Sequence, residues 1–170
     1  MDQQYTSPDW QNFSLWEGRD ILLWKAPEVI ARLQQRSKGE WFENIDTTRV
    51  VETLRKLGQG LHPGGLSAAV LNNSHLLVYS LGGPWFAQDG ERWLIEQFFM
   101  RVDAGEEAGA YEALELLAED LGASRIIMAT ALARRDEALG KVYERYGYAK
   151  QSSQYVKEAR WLQLAQSSPA

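Results

Sequence analysis

The sequence predicts one α+β domain, a mostly antiparallel central sheet flanked by helices. Apolar residues recur at helical spacing through 27–57 and again through 111–146. Between them, 66–102 runs in β-compatible apolar segments broken by Asn, Gly and Pro turns. Hydrophobic residues make up 45 % of the 170, which suits one core rather than two small ones.

Residues 1–25 read as an irregular N-terminal segment in which Ile21, Leu22, Leu23 and Trp24 form a short apolar run of open type. Pro27 suits a first helical turn, where its missing N–H is not needed. Glu28 complements the positive helix end, and Val29, Ile30 and Leu33 share one face. This helix should end near 37–39. A second starts at 46–48, carries Val50, Val51, Leu54 and Leu57, and meets a terminating glycine at Gly58. The loop 59–65 follows, with His62 and Pro63 among its glycines.

The period then changes. Residues 66–71 and 75–81 read as a hairpin turned by Asn72, Asn73 and Ser74. Gly82, Gly83 and Pro84 break the second strand, and 92–102 forms a third after a turn at 87–91. Helical spacing returns at Tyr111, Leu114, Leu117, Ala118 and Leu121, with Gly122 as the stop. The run 125–132, with Ile126, Ile127 and Met128, reads as a buried strand. Asp136 offers an N-cap to a last helix carrying Leu139, Val142, Tyr143 and Tyr146, and Gly147 is expected just past its end in a left-handed conformation. Residues 151–158 suit a final strand, and 166–170 a loose tail.

Composition narrows the function. The chain has no cysteine, which removes disulfides, thiolate metal ligands and a cysteine nucleophile. A net charge of −5 argues against neutralising nucleic-acid phosphates as the main task. His62 and His75 stand in no metal-type spacing and read as turn or strand residues, so no metal site is expected. No apolar run of about 18 residues is present and the N-terminus has no basic or apolar leader, so a soluble cytoplasmic protein without membrane contact is expected. Neither a Gly-x-Ser-x-Gly elbow nor a phosphate-binding glycine loop after a strand is present. Trp10, Trp16, Trp24 and Trp41 crowd the first quarter of the chain. They suit anchors of an irregular segment on the core, or a surface for a protein partner.

The element order, two helices, three antiparallel strands, helix, strand, helix, strand, resembles the GNAT acyl-CoA N-acyltransferase superfamily. A more specific match is Asp136-Glu-Ala-Leu-Gly-Lys-Val-Tyr143-Glu-Arg-Tyr-Gly147-Tyr148, which is similar to that family's asparagine, helix, then Leu-Tyr-Glu-Lys-x-Gly-Phe. The likeness runs from about Leu66 to Glu158 and more loosely over the N-terminal helices. The run 76–102, with Tyr79-Ser80 and Gly83-Pro84-Trp85, looks most like divergent members encoded by tailed bacteriophages, some of them virion components.

The resemblance implies a site. Acetyl-CoA or another acyl-CoA would enter a cleft where two strands splay, its pantetheine pairing with the strand backbone at Gln97, Phe98, Phe99, Met100 and Arg101. Tyr143 would lie over the thioester and protonate the departing thiolate. Asp136 stands where the family has its asparagine, a position that helix capping also explains. Glu96, on the third strand, is the candidate general base toward an amine acceptor that the sequence does not identify.

The family's pyrophosphate loop is Gln/Arg-x-x-Gly-x-Gly/Ala, whose small residues let backbone amides reach the phosphates at a helix N-terminus. Here Glu106 falls on the arginine position and Tyr111 on the last small one, and Glu107 adds a second carboxylate. Gly105 and Gly109 remain as glycines for a partial anion nest. Two functions are therefore expected. One is acyl transfer to an amine with a degenerate loop. The other is a non-catalytic phage virion or host-interaction component of the same fold, located in the host cytoplasm or the virion.

Overall fold

The computed structural model of the chain describes residues 25–37, 45–72, 74–83, 88–102, 107–129 and 136–150. The elements are α1 (Ala26–Ser37), α2 (Thr47–Gly58), a 3-10 turn (Pro63–Gly65), β1 (Leu66–Leu71), β2 (His75–Gly82), β3 (Trp93–Arg101), α3 (Glu107–Asp120), β4 (Arg125–Ile127) and α4 (Asp136–Arg145). The expected strand at 151–158, the tail, the aromatic segment up to Trp24 and Trp41 lie outside the described residues.

The sheet order is β1-β2-β3-β4, with the first three strands antiparallel and β4 parallel to β3. This is the α+β architecture expected, with helices on both faces. Alternation along each strand splits its side chains between two cores. Val70, Leu76, Val78, Phe98, Met100 and Val102 pack with Ala26, Val29, Leu54 and Leu57 of α1 and α2. On the other face Ala69, Leu71, Leu77, Tyr79 and Leu94 pack with Ala110, Tyr111, Leu114 and Leu117 of α3 and with Tyr143 of α4.

One irregularity in β3 matters for the site. Val78 pairs with Phe98 and Tyr79 with Glu96, so Gln97 is an extra residue, a β-bulge. Without it, Leu94 and Phe99, an odd number of positions apart, could not both face α3 and α4 as they do. Glu96, opposite Tyr79, keeps the parity of Leu94 and lies on that same face, while the Gln97 amide reaches Ser80 Oγ at 3.2 Å.

Helix ends follow backbone logic. The Asp46 carboxylate accepts from Arg49 N at 3.0 Å and caps α2. At the other end Gly58 is still helical, and it is Gly60, at φ 73°, that terminates α2, because the bonds Leu61 N to Lys56 O and Gly60 N to Leu57 O require a left-handed residue there. Gly147, at φ 86°, closes α4 through the same pair, Tyr148 N to Tyr143 O and Gly147 N to Glu144 O, both at 3.1 Å. Asp136 is the first helical residue of α4 rather than its cap.

Of the strand expected over 125–132, residues 130–132 lie outside the described residues, and the rest is shorter and less buried than expected. β4 spans Arg125–Ile127, Ile127 is 37 % exposed, and Met128 and Ala129 leave the ladder. An apolar run with the composition of a core strand here pairs with only three residues of β3, although β3 continues to Arg101. Among the described residues, no helix is long and apolar enough to cross a membrane.

Candidate functional site

β4 is joined to β3 firmly at one end only. Ser124 N donates to Arg92 O at 2.7 Å, and Arg125 Nε meets Glu91 Oε1 at 3.1 Å while its guanidinium lies 5.3 Å from the Trp93 ring centroid. From this clamp the strands run parallel through Trp93–Arg125, Leu94–Ile126 and Ile95–Ile127, and then diverge. No described strand continues the sheet on that side beyond Ile95.

The divergence holds two of the residues expected from the sequence. Glu96 Oε2 accepts from Ala129 N at 2.8 Å, and the Tyr143 hydroxyl donates to Ala129 O at 3.2 Å. A carboxylate from β3 and a phenol from α4 thus converge on the backbone of one residue just past the end of β4. Tyr143 is 7 % exposed, with its ring centroid 6.3 Å from Tyr111 and 5.7 Å from Tyr148. The ring is core, as the apolar stripe expects, and the hydroxyl meets Ala129 O just past the end of β4.

Of the expected pantetheine edge, Phe98 and Met100 point into the α1 and α2 core, Phe99 packs toward α3 and α4, and Gln97 and Arg101 are exposed. What 97–101 offers to the divergence is therefore chiefly backbone. Phe99 stacks on His75 at 5.2 Å and meets Tyr111 edge-on at 5.7 Å.

The helix that should receive the pyrophosphate starts at Glu107, earlier than its periodicity suggested. Gly109 is thus in the first helical turn, not in a loop, and its smallness has a structural cause: a Cβ there would meet Cγ of Asn72 at 2.9 Å. Tyr111 belongs to the second turn. It is 4 % exposed and stacked on Tyr146 at 4.0 Å, so its bulk is spent in the core. The first turn itself, Glu107-Ala108-Gly109-Ala110, carries only small residues after its first. Gly105 and Glu106 lie outside the described residues, as does the side chain of Asp136.

Three features escaped the sequence reading. The bulge at Gln97 has no composition signal. Ala129 is chemically silent, and its part comes from position alone. The buried His75 shares a 2.8 Å hydrogen bond with Ser74 Oγ, and burial, then the charge of Arg101, lowers its pKa to about 4. A separate open groove lined by Glu112, Glu115, Glu119, Arg125 and Tyr146 shares no residue with the divergence. Its acidic wall is ill suited to a phosphate-bearing ligand.

No protein-family model matches the chain. No curated protein matches it either. Among solved structures, the chain is similar to an integron cassette protein from the mobile metagenome of V. cholerae, at 14 % identity and a TM-score of 0.54 over 86 % of this chain and 92 % of that one. It is also similar to a ribosomal-protein-alanine N-acetyltransferase from Brucella melitensis biovar Abortus 2308, at 18 % identity and a TM-score of 0.53 over 86 % of this chain and 96 % of that one. At these identities the likeness establishes the fold, which is GNAT-like.

Proposed function

We propose that the chain is a GNAT-fold N-acyltransferase moving an acetyl or other acyl group from coenzyme A to a primary amine. The observation that supports it most is the divergence of β4 from β3 after Ile95 and Ile127, with a carboxylate and a phenol brought together at Ala129 inside it. In this reading the backbone of 97–101 pairs with the amides of the pantetheine arm. The first-turn amides of α3, with Gly105 before them, take the pyrophosphate, and Asp136 lies at the coenzyme end of α4. As the amine nitrogen bonds to the acyl carbon and the C–S bond breaks, the Tyr143 hydroxyl hands a proton to the sulfur. The nitrogen's surplus proton leaves to water and restores the phenol, so the products are an amide and a free thiol.

The test begins with binding. Acetyl-CoA at about 100 times its dissociation constant should stabilise the fold by about 2.7 kcal/mol, read as a rise in thermal midpoint. Turnover follows from the thiol released on mixing acetyl-CoA with primary amines. Because the chain has no cysteine, a thiol reagent reports coenzyme A alone. Tyr143→Phe should lower the rate about 100-fold while leaving the fold intact.

A second reading, a non-catalytic component of a phage virion or of its contact with a host, is favoured by one observation. Glu96 and Tyr143 hold the backbone of Ala129, a structural use that needs no substrate. Absence of any thermal shift with acetyl-CoA, coenzyme A or longer acyl-CoAs at millimolar concentration removes the acyltransferase reading.

A further inference from the structure

We infer that Glu96 is a positioning residue for Tyr143, acting through the backbone of Ala129, and not the base that takes the amine's proton; the inference rests on the acyltransferase reading. The pairing of Ile95 with Ile127 is the last rung of the β3–β4 ladder. Continued without change, a parallel ladder would offer the Ala129 N–H a backbone acceptor on β3 near Gln97. The bulge at Gln97 and the departure of β4 end that ladder, and the Glu96 carboxylate takes the N–H at 2.8 Å instead.

Ala129, fixed in this way, presents its carbonyl to the Tyr143 hydroxyl at 3.2 Å. A phenol has one proton to direct. The ring of Tyr143 is held by Tyr111 and Tyr148, so the carbonyl it meets sets where that proton points before substrate arrives. Glu96 and Tyr143 come from different elements and are joined here through Ala129. Releasing the N–H of Ala129 lets its carbonyl drift, and the acid loses its aim. What this role requires at position 96 is an acceptor oxygen of the right reach, not basicity.

Steady-state transfer from acetyl-CoA to whichever primary amine shows turnover separates the two roles in four variants: Glu96→Gln, Glu96→Ala, Tyr143→Phe and the Glu96→Ala/Tyr143→Phe pair. Each is first checked for folding by circular dichroism and thermal denaturation. Glu96→Gln keeps an acceptor oxygen and should hold kcat within about threefold of the parent, whereas Glu96→Ala should lose about 100-fold, the scale of a misplacement near 1 Å. The double variant should be no slower than Tyr143→Phe, because residues acting as one unit lose their effect once. Glu96→Gln as slow as Glu96→Ala, Glu96→Ala as fast as the parent, or losses that multiply in the double variant each overturn the positioning role and leave the acyltransferase standing. Absence of transfer to every amine overturns the acyltransferase reading, and the positioning role with it.

Discussion

The side chain of Asn72, at the tip of the β1–β2 hairpin, occupies the space that a Cβ on Gly109 would need in the first turn of α3. Asn72 stands at φ 49°, a left-handed position that asparagine tolerates better than most residues. The hairpin tip and the start of α3 are therefore fitted to each other.

In an open helix Gly→Ala gains up to about 1 kcal/mol. Here Gly109→Ala should instead cost about 1–2 kcal/mol, because the methyl would meet Asn72 Cγ at 2.9 Å and force a shift. In an Asn72→Gly background the same substitution should become neutral or stabilising. Urea denaturation of the four-member cycle measures this, and equal effects of Gly109→Ala in both backgrounds would remove the fit as the cause. A loss of acyl-CoA binding in Gly109→Ala alone must be read against this contact.

Two glycines, one inside α4 and one just past its end, should respond to alanine with opposite signs. Gly147, at φ 86° with nothing within 4 Å of a built Cβ, should lose about 1 kcal/mol or more, from backbone conformation alone. Gly140, inside the helix with equally open surroundings, should gain about 0.5–1 kcal/mol. Thermal or urea midpoints of the two variants decide the matter, and a neutral Gly147→Ala would contradict the left-handed turn.

His75 makes stability depend on acid. Its pKa falls from 6.5 to about 4, through burial first and the Arg101 charge second. Between those values the unfolded chain binds a proton that the folded one refuses, so stability is full above the unfolded value and is lost as the pH falls through the window. The loss between pH 7 and pH 5 should be about 1–2 kcal/mol. In His75→Gln that slope should flatten; an unchanged slope would assign it to other groups.

Tyr148 stands where the similar family motif has phenylalanine. Its hydroxyl is buried with no hydrogen-bond partner among the described residues, and burial, then the charge of Glu115, pushes its pKa up. Tyr148→Phe should therefore be neutral or stabilise the fold by about 1 kcal/mol, since it removes an unsatisfied polar group and keeps the ring. A clear drop in the urea midpoint would mean that the hydroxyl has a partner.

Much of the fold was legible because its signals are local. The strand Leu66–Leu71 and the stop at Gly147 follow from alternation and from one residue type that tolerates a left-handed turn. α2 ends at Gly58 as expected, but the left-handed glycine that closes it is Gly60, because the two glycines are the same local signal and only the bonds to Lys56 and Leu57 tell them apart. The run 125–132 was overextended because its apolar residues do not reveal that the chain leaves β3 after three pairs. At the candidate site, Glu96 and Tyr143 were legible as residue types on β3 and α4. Their meeting at Ala129 was not, because the contacts span 33 and 14 positions. Tyr111 looked like an obstacle in a loop because its sequence position does not say that the helix has already turned it inward.

The extra residue at Gln97 makes β3 a strand with two reading frames. Up to Glu96 the even-numbered side chains belong to the α3 and α4 face, and from Phe98 onward they belong to the other. Flattening the bulge while Gln97 stays in the ladder would act on the sheet as a frameshift acts on a message. Phe98 and Met100 would be turned into the wrong core and Phe99 and Arg101 would exchange places with them, with no change in composition. Deletion of Gln97 would instead set Glu96 and Phe98 on opposite faces by plain alternation and leave both cores as they are, so homologous chains should be free to vary this residue in kind and also to lack it.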